Sequence, residues 1–243
     1  MKTTSLIGLV MVVLLFAGGR VVGGDLTNEV KVASSVDLRP NFERWQLPQK
    51  KQGARPTCSV FASVAAMEYA VARSLDRGVE LSVEFANWAG NRAIDHDQDG
   101  HFFTEIIKGY ELYGICRAKD MPYAAEYDAK RQPSEKALAG AREIKTLGLQ
   151  FHWIRPNDGK TGLDDNHIAQ IKTVLAKGWP AAAGSYHSIL LVGYVDDPAL
   201  EGGGKFLVRD SGGGNEQTLS YAAAKKRMND VYWIEAPANG ALP

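Results

Sequence analysis

The chain of 243 residues has no net charge, because 28 lysines and arginines balance 28 aspartates and glutamates. This balance argues against the strongly positive surface that nucleic acids and anionic membranes select, so we expect neither as a partner. Cysteine is scarce as well. Cys58 and Cys116 allow one disulfide at most. Internal repeats and low-complexity tracts are missing, and the length suits one large domain or two small lobes.

Long apolar runs are also missing. The segment MKTTSLIGLVMVVLLFAGG carries Lys2, an apolar stretch over about residues 6–16 and then small residues. That stretch is shorter than the roughly 20 residues that a membrane-spanning helix needs. The layout is typical of a secretory signal peptide, so we expect residues 1–24 to be removed, with cleavage near Gly19 or Gly24. The mature protein would then be secreted or periplasmic, without stable membrane association. A retained N-terminal anchor is the alternative.

Metal-ligand patterns are weak. Residues 95–100, DHDQDG, have the aspartate spacing of a calcium-binding loop, but Ile106 stands where such a loop needs a bidentate glutamate. A polar surface loop is therefore favoured, and weak calcium binding stays open. The histidines show no zinc-ligand spacing relative to the two cysteines. We expect no metal and no cofactor.

Helical patterns dominate the first half of the chain and strand patterns the second. Apolar periodicity predicts helices in residues 58–75, 99–114, 133–145 and 167–178, with Thr57 and Ser134 as N-caps of the first and third. Short β-branched and aromatic runs predict strands in residues 188–195, 205–210 and 230–236. This order predicts an α+β protein with one domain over residues 25–243. Its helical lobe would span about 52–145 and its β-rich lobe about 146–243, with the site in the cleft between them.

Cys58 begins the alanine-rich helix, where unpaired backbone N–H groups and the positive end of the helix dipole favour a thiolate. Such a nucleophile needs a base and, when it attacks a carbonyl, donors for the oxyanion. Gln52 lies six residues earlier, beyond a glycine, and can donate together with the Cys58 backbone N–H. By itself, a lone cysteine in such a helix is more often a packed small hydrophobe.

Two residues in the second half of the chain favour a catalytic role for Cys58 over a packing role. His187 opens a predicted strand, and Asp210 ends the next one. Residues at the start and the end of adjacent strands can meet. An acid there would hold the imidazole ring and select its tautomer.

Four segments span about residues 36–214: VDLRPNFERWQLPQKKQGARPTCSVFASVAAMEY, DGHFFTEIIKGYELYGICRAKDMPY, HSILLVGYVDD and GGGKFLVRDSGGG. In this order they resemble the papain family of cysteine peptidases, in the short form seen in bacteria. In this family the cysteine lies near the mature N-terminus and the histidine roughly 130–150 residues later. The positions of Cys58 and His187 are similar to this layout.

The resemblance implies a papain-like two-lobed fold and a monomeric cysteine-type peptidase that acts on peptides or proteins. Cys58 would be the nucleophile, His187 the general base and then acid, Asp210 the orienting residue and Gln52 the oxyanion donor. Asp99, Gly100 and His101 would lie on the loop that binds the substrate backbone.

Several positions depart from the family pattern, and three of them bear on activity. Asp210 stands in place of asparagine, Gly212 in place of a shielding tryptophan, and His101 in place of a second glycine. They motivate an alternative, a papain-like peptide-binding homologue with weak or no turnover. A structural protein with a Cys58–Cys116 disulfide is a third interpretation.

Overall fold

The computed structural model describes residues 33–213 and 217–238, so the predicted signal peptide lies outside the described residues. In chain order, the helices and strands are β1 (Ser35–Asp37), α1 (Arg39–Arg44), α2 (Cys58–Leu75), α3 (Val83–Ile94), α4 (Phe103–Tyr113), a 3₁₀ turn (Ala118–Asp120), α5 (Glu135–Lys145), β2 (Gln150–Arg155), α6 (Asp165–Ala176), β3 (Ala181–Gly184), β4 (Ile189–Asp196), β5 (Gly204–Arg209), β6 (Thr218–Ser220), α7 (Tyr221–Arg227) and β7 (Asp230–Glu235).

The strands form one sheet in which every pairing is antiparallel. Its order is β2-β7-β3-β4-β5-β6, and β1 pairs with β4. Neighbouring strands β4 and β5 run in opposite directions, with Leu190 opposite Arg209. The start of β4 and the end of β5 therefore lie side by side at one edge of the sheet.

Helix α2 connects the helices to the sheet. It packs against β3, β4 and β7 on one side and against α3 and α4 on the other. Most of its residues are buried, including Val60, Met67 and Val71. Since a helix that is apolar around most of its circumference is stable when it is enclosed, the composition of α2 accounts for its central place. Its first turn ends at the surface and carries Cys58.

The α+β class is confirmed, as are helices and strands in each predicted segment. Ser134 caps α5 as predicted, through a hydrogen bond from the Ala137 backbone N–H. Thr57 occupies the N-cap position of α2 as predicted, but its side chain makes no capping hydrogen bond, because its hydroxyl is bonded to the Tyr123 hydroxyl at 2.8 Å. The domain and lobe boundaries stay predictions.

Two inner elements were not predicted. Helix α3 buries Glu84, Asn87 and Asn91 beside its apolar residues, and this polar content hides the helical pattern. Strand β3 is AAAG and is buried along its whole length. Alanine and glycine are depleted in strands, so position between β7 and β4, rather than propensity, makes this segment a strand.

Candidate active site

Cys58 is the first residue of α2 and is half-buried. The first turn of the helix carries no acidic residue, so no carboxylate offsets the positive end of the helix dipole there. The two cysteines are both free thiols, which contradicts the disulfide interpretation. Cys116 is buried among apolar side chains elsewhere, and burial raises the pKa of its thiol to about 12. Cys116 is therefore enclosed by apolar side chains, whereas Cys58 is partly exposed at the start of a helix.

His187 and Asp210 meet at the edge of the sheet where β4 begins and β5 ends. The distance from His187 Nε2 to Asp210 Oδ1 is 2.6 Å. A carboxylate accepts, so Nε2 carries the proton, and Nδ1 is the nitrogen left to face Cys58. The same Oδ1 accepts from the Gly212 backbone N–H at 2.8 Å, and Gln49 Nε2 donates to the Asp210 carbonyl at 2.6 Å. These bonds hold the carboxylate in place and, through it, the imidazole ring.

Cys58 and His187 shift each other's pKa in opposite directions. Burial raises the pKa of the Cys58 thiol, but hydrogen bonds with the His187 side chain and the Ser188 backbone outweigh it, and the net pKa is lowered. The bond with Cys58 raises the pKa of His187 to about 9, against desolvation and with added help from Asp210. Both shifts favour the form of the pair in which the thiol has lost its proton and the imidazole has gained one.

Gln52 is held in one orientation by residues on both sides of the site. Its Oε1 accepts from the Ser211 hydroxyl at 2.9 Å, and its Nε2 donates to the Arg55 carbonyl at 2.8 Å. An amide NH₂ group has two hydrogens, so Nε2 keeps a second one for another acceptor. The bond to Ser211 ties Gln52 to the residue that follows Asp210.

Gly212 lies directly over the His187–Asp210 pair. A Cβ on Gly212 would be 3.2 Å from the His187 ring and 3.3 Å from Asp210 Oδ1. The His187 side chain keeps 31% of its surface exposed, whereas that of Asp210 keeps 11%. The glycine therefore leaves the ring partly open to water and the carboxylate covered.

A cavity of about 300 Å³ opens beside Cys58, and Asp99, Gly100 and His101 line it. Gly100 has φ +86°, and a Cβ there would lie 2.1 Å from the Pro56 carbonyl oxygen, so the close approach of this loop to the Cys58 segment requires glycine. The His101 side chain is directed into the protein: its Nε2 bonds the Asn87 carbonyl at 2.9 Å.

A buried arginine cluster, missed from the sequence, joins this loop to the loop that precedes Cys58. Arg55 binds Asp99 at 2.8 Å and Glu84 at 2.7 Å, and its guanidinium lies 4.4 Å from the centre of the Tyr123 ring. No local pattern marks it, because the three charged residues are far apart in the chain. Two of the three aspartates of the DHDQDG segment are bonded within the protein: Asp99 to Arg55, and Asp97, which accepts a hydrogen bond from the Tyr127 hydroxyl.

In the part of the chain that the structure describes, no group of three or more histidine, cysteine, aspartate or glutamate side chains is arranged to hold a metal ion. Over the same residues, no helix combines the length and the apolar character needed to cross a bilayer.

No protein-family model matches the sequence, and no curated protein matches it either. Solved structures do match. Xylellain, a cysteine protease from Xylella fastidiosa, has a TM-score of 0.65 and 19% sequence identity, over 86% of this chain and 88% of that one. Amb a 11, a ragweed pollen cysteine protease in its proform, has a TM-score of 0.60 and 18% identity, over 88% of this chain and 69% of that one.

Procathepsin L 3 from the larval midgut of Tenebrio molitor has a TM-score of 0.59 and 16% identity, over 86% of this chain and 72% of that one. These three proteins come from a bacterium, a plant and an insect, and each matches most of the described residues. At such low identities the likeness is one of fold, and the chain has the papain-like fold of the cysteine proteases.

Proposed function

We propose that the protein is a papain-like cysteine peptidase that hydrolyses peptide bonds. The observation that carries the proposal is the connected set of Cys58, His187 and Asp210, in which the pKa of the thiol is lowered and that of the imidazole is raised to about 9. A thiolate is the nucleophilic form of cysteine, and an imidazolium beside it can protonate a leaving group.

In the proposed reaction, Cys58 Sγ attacks the carbonyl carbon of a peptide bond. The oxyanion that forms accepts hydrogen bonds from Gln52 Nε2 and from the Cys58 backbone N–H. His187 gives its proton to the amine as the C–N bond breaks, which leaves a thioester on Cys58. His187 then takes a proton from water, the hydroxide attacks the thioester, and the carboxylic acid leaves with the thiolate restored.

Asp210 keeps the imidazole in the tautomer that this sequence of steps needs. Asp99, Gly100 and His101 would bind the substrate backbone, as the resemblance implies. We expect the protein to be exported after loss of residues 1–24, because those residues have the layout of a signal peptide. We propose that the mature protein acts as a monomer.

Thiol alkylation tests the proposal. With an epoxide or iodoacetamide reagent, we expect Cys58 to react at pH 6 far faster than a free cysteine, of which roughly 0.3% is thiolate at that pH. Cys116 is the internal control, because burial raises the pKa of its thiol to about 12. Hydrolysis of unstructured protein or fluorogenic peptides should be lost in Cys58→Ala and in His187→Ala.

Two results separate the alternatives. Alkylation of Cys58 at the rate of a free thiol would overturn the peptidase proposal. Rapid alkylation without hydrolysis, combined with peptide binding, would instead identify a peptide-binding homologue without turnover.

A further inference from the structure

The cavity beside Cys58 also contains a buried carboxylate. Asp230 is the first residue of β7, lies opposite Gly184 of β3, and is 5% exposed. It lines the same cavity of about 300 Å³ as Cys58, although the two residues are 172 positions apart (230 − 58). Neither the proposed reaction nor the packing of the sheet requires an acid at this point.

Asp230 has few interactions that would stabilise its charge. Among residues 33–213 and 217–238, no side chain donates a hydrogen bond to it. The cation that influences it is Arg155 on β2, whose guanidinium is already bonded to Asp158 at 3.0 Å and to the Lys160 carbonyl at 2.8 Å. Burial outweighs this influence and raises the pKa of Asp230 to about 6.

A second acceptor in the cavity lacks a donor. Asn229 Oδ1 is buried, and within the described part of the chain it has no hydrogen-bond partner. Buried acceptors without a donor cost free energy, so they are rare in folded proteins unless something outside the chain supplies the donor. Asp230 therefore makes this end of the cavity a place for a donor, and for a positively charged one above all, and the unpaired Asn229 oxygen adds to the negative character of its surroundings.

The walls suit the rest of a long basic side chain. Phe102 is 68% exposed and lies on the cavity lining, and Phe103 is buried there. Gly184 leaves the space open: a Cβ on it would lie 2.0 Å from Asp230 Oδ1 and 2.9 Å from Phe103 Cε2. Lysine and arginine have an apolar stem and a cationic tip, which match an aromatic wall and an acidic end.

We propose that this cavity binds an arginine or lysine side chain of the peptide substrate, and that Asp230 is the residue that selects it. The inference rests on the proposed peptidase function, because it assigns the substrate class of that site. A bound guanidinium or ammonium would donate to the Asp230 carboxylate and neutralise the buried charge.

Matched peptides test the proposal with the full chain. Fluorogenic peptides would carry arginine or its neutral isostere citrulline at each of the two residues that precede the scissile bond. At one of the two positions we expect kcat/KM to be at least about tenfold higher for arginine, the order expected for a buried charge-assisted hydrogen bond. Asp230→Asn should reduce the ratio to within about twofold. Glu201→Gln removes one negative charge from an exposed residue and should leave the ratio unchanged.

The ratio also has an expected pH dependence. Since burial raises the pKa of Asp230 to about 6, the arginine-to-citrulline ratio should rise between pH 5 and pH 7 in the parent chain. The other titratable or charged groups near the cavity are Asp99, paired with Arg55, His101, Arg155, paired with Asp158, and the Cys58–His187 pair. All of them are kept in Asp230→Asn, so this variant isolates the contribution of Asp230. In Asp230→Asn the ratio should not change with pH.

Binding to Cys58→Ala separates failure of this inference from failure of the proposed function. Fluorescence anisotropy of the labelled arginine and citrulline peptides needs no turnover. Tighter binding of the arginine peptide without hydrolysis by the parent chain would support the cavity assignment and overturn the peptidase proposal. Hydrolysis by the parent chain with equal kcat/KM for the two peptides, or an unchanged preference in Asp230→Asn, would overturn the cavity assignment alone.

Discussion

Arg55 allows a stability prediction that does not depend on activity. Its side chain is 4% exposed and binds two carboxylates, Glu84 at 2.7 Å and Asp99 at 2.8 Å. It also donates to the Ala124 carbonyl at 2.9 Å and lies over the Tyr123 ring. The change to test is Arg55→Ala, which removes the cation and leaves both acids in place.

The size of the effect follows from the burial of those acids. The side chains of Glu84 and Asp99 are 4% and 14% exposed, so neither gains full hydration when the arginine is removed. Removing one partner of a buried ion pair costs about 3–5 kcal/mol of unfolding free energy. For a domain of this size that corresponds to a fall in Tm of about 6–20 °C, at roughly 2–4 °C per kcal/mol.

Urea unfolding and thermal melts measure this loss directly. Arg131→Ala is the matched control, because Arg131 lies 3.8 Å from the same Glu84 but is 30% exposed. Because Arg131 stays partly hydrated and Arg55 still neutralises Glu84 in this variant, we expect a loss close to that of a surface pair, about 0–1 kcal/mol, and a Tm within a few degrees of the parent. Arg55→Lys keeps the positive charge but loses the forked guanidinium, so its Tm should lie between those of Arg55→Ala and Arg131→Ala. If Arg55→Ala costs no more than Arg131→Ala, the reasoning from buried charge is wrong.

Asp210→Asn removes a negative charge from beside His187, so the pKa of His187 should fall from about 9 and the alkaline limb of the kcat/KM profile should move about 1–2 pH units lower. An unchanged limb would mean that Asp210 orients the ring without stabilising its charge. Gln52→Ala should lower kcat by about 100–1,000-fold, through loss of an oxyanion donor. Iodoacetamide alkylation of Cys58 builds no oxyanion and should keep its rate in this variant; a parallel loss of alkylation would assign Gln52 to thiolate formation instead.

Local patterns were sufficient for the parts of the molecule whose structure depends on neighbouring residues. The periodicity of residues 58–75 and the cap at Ser134 predict helices that the structure contains. The strand patterns that begin next to His187 and end next to Asp210 were also sufficient. Because β4 and β5 are antiparallel neighbours, the start of one lies beside the end of the other. Helix α3 and strand β3 were not predictable in this way, since their residues are selected by burial inside the fold rather than by intrinsic propensity.

The sequence by itself therefore determined the α+β class, the order of the resembling segments and the candidate residues Gln52, Cys58, His187 and Asp210. Tertiary structure decided what surrounds them. The sequence around Asp230 predicts only the start of a strand. Its side chain lines the cavity beside Cys58 because β7 pairs with β3 and because Gly184 leaves room for the carboxylate. Interactions between residues so far apart in the chain arise when burial brings them together, and no local pattern encodes that proximity.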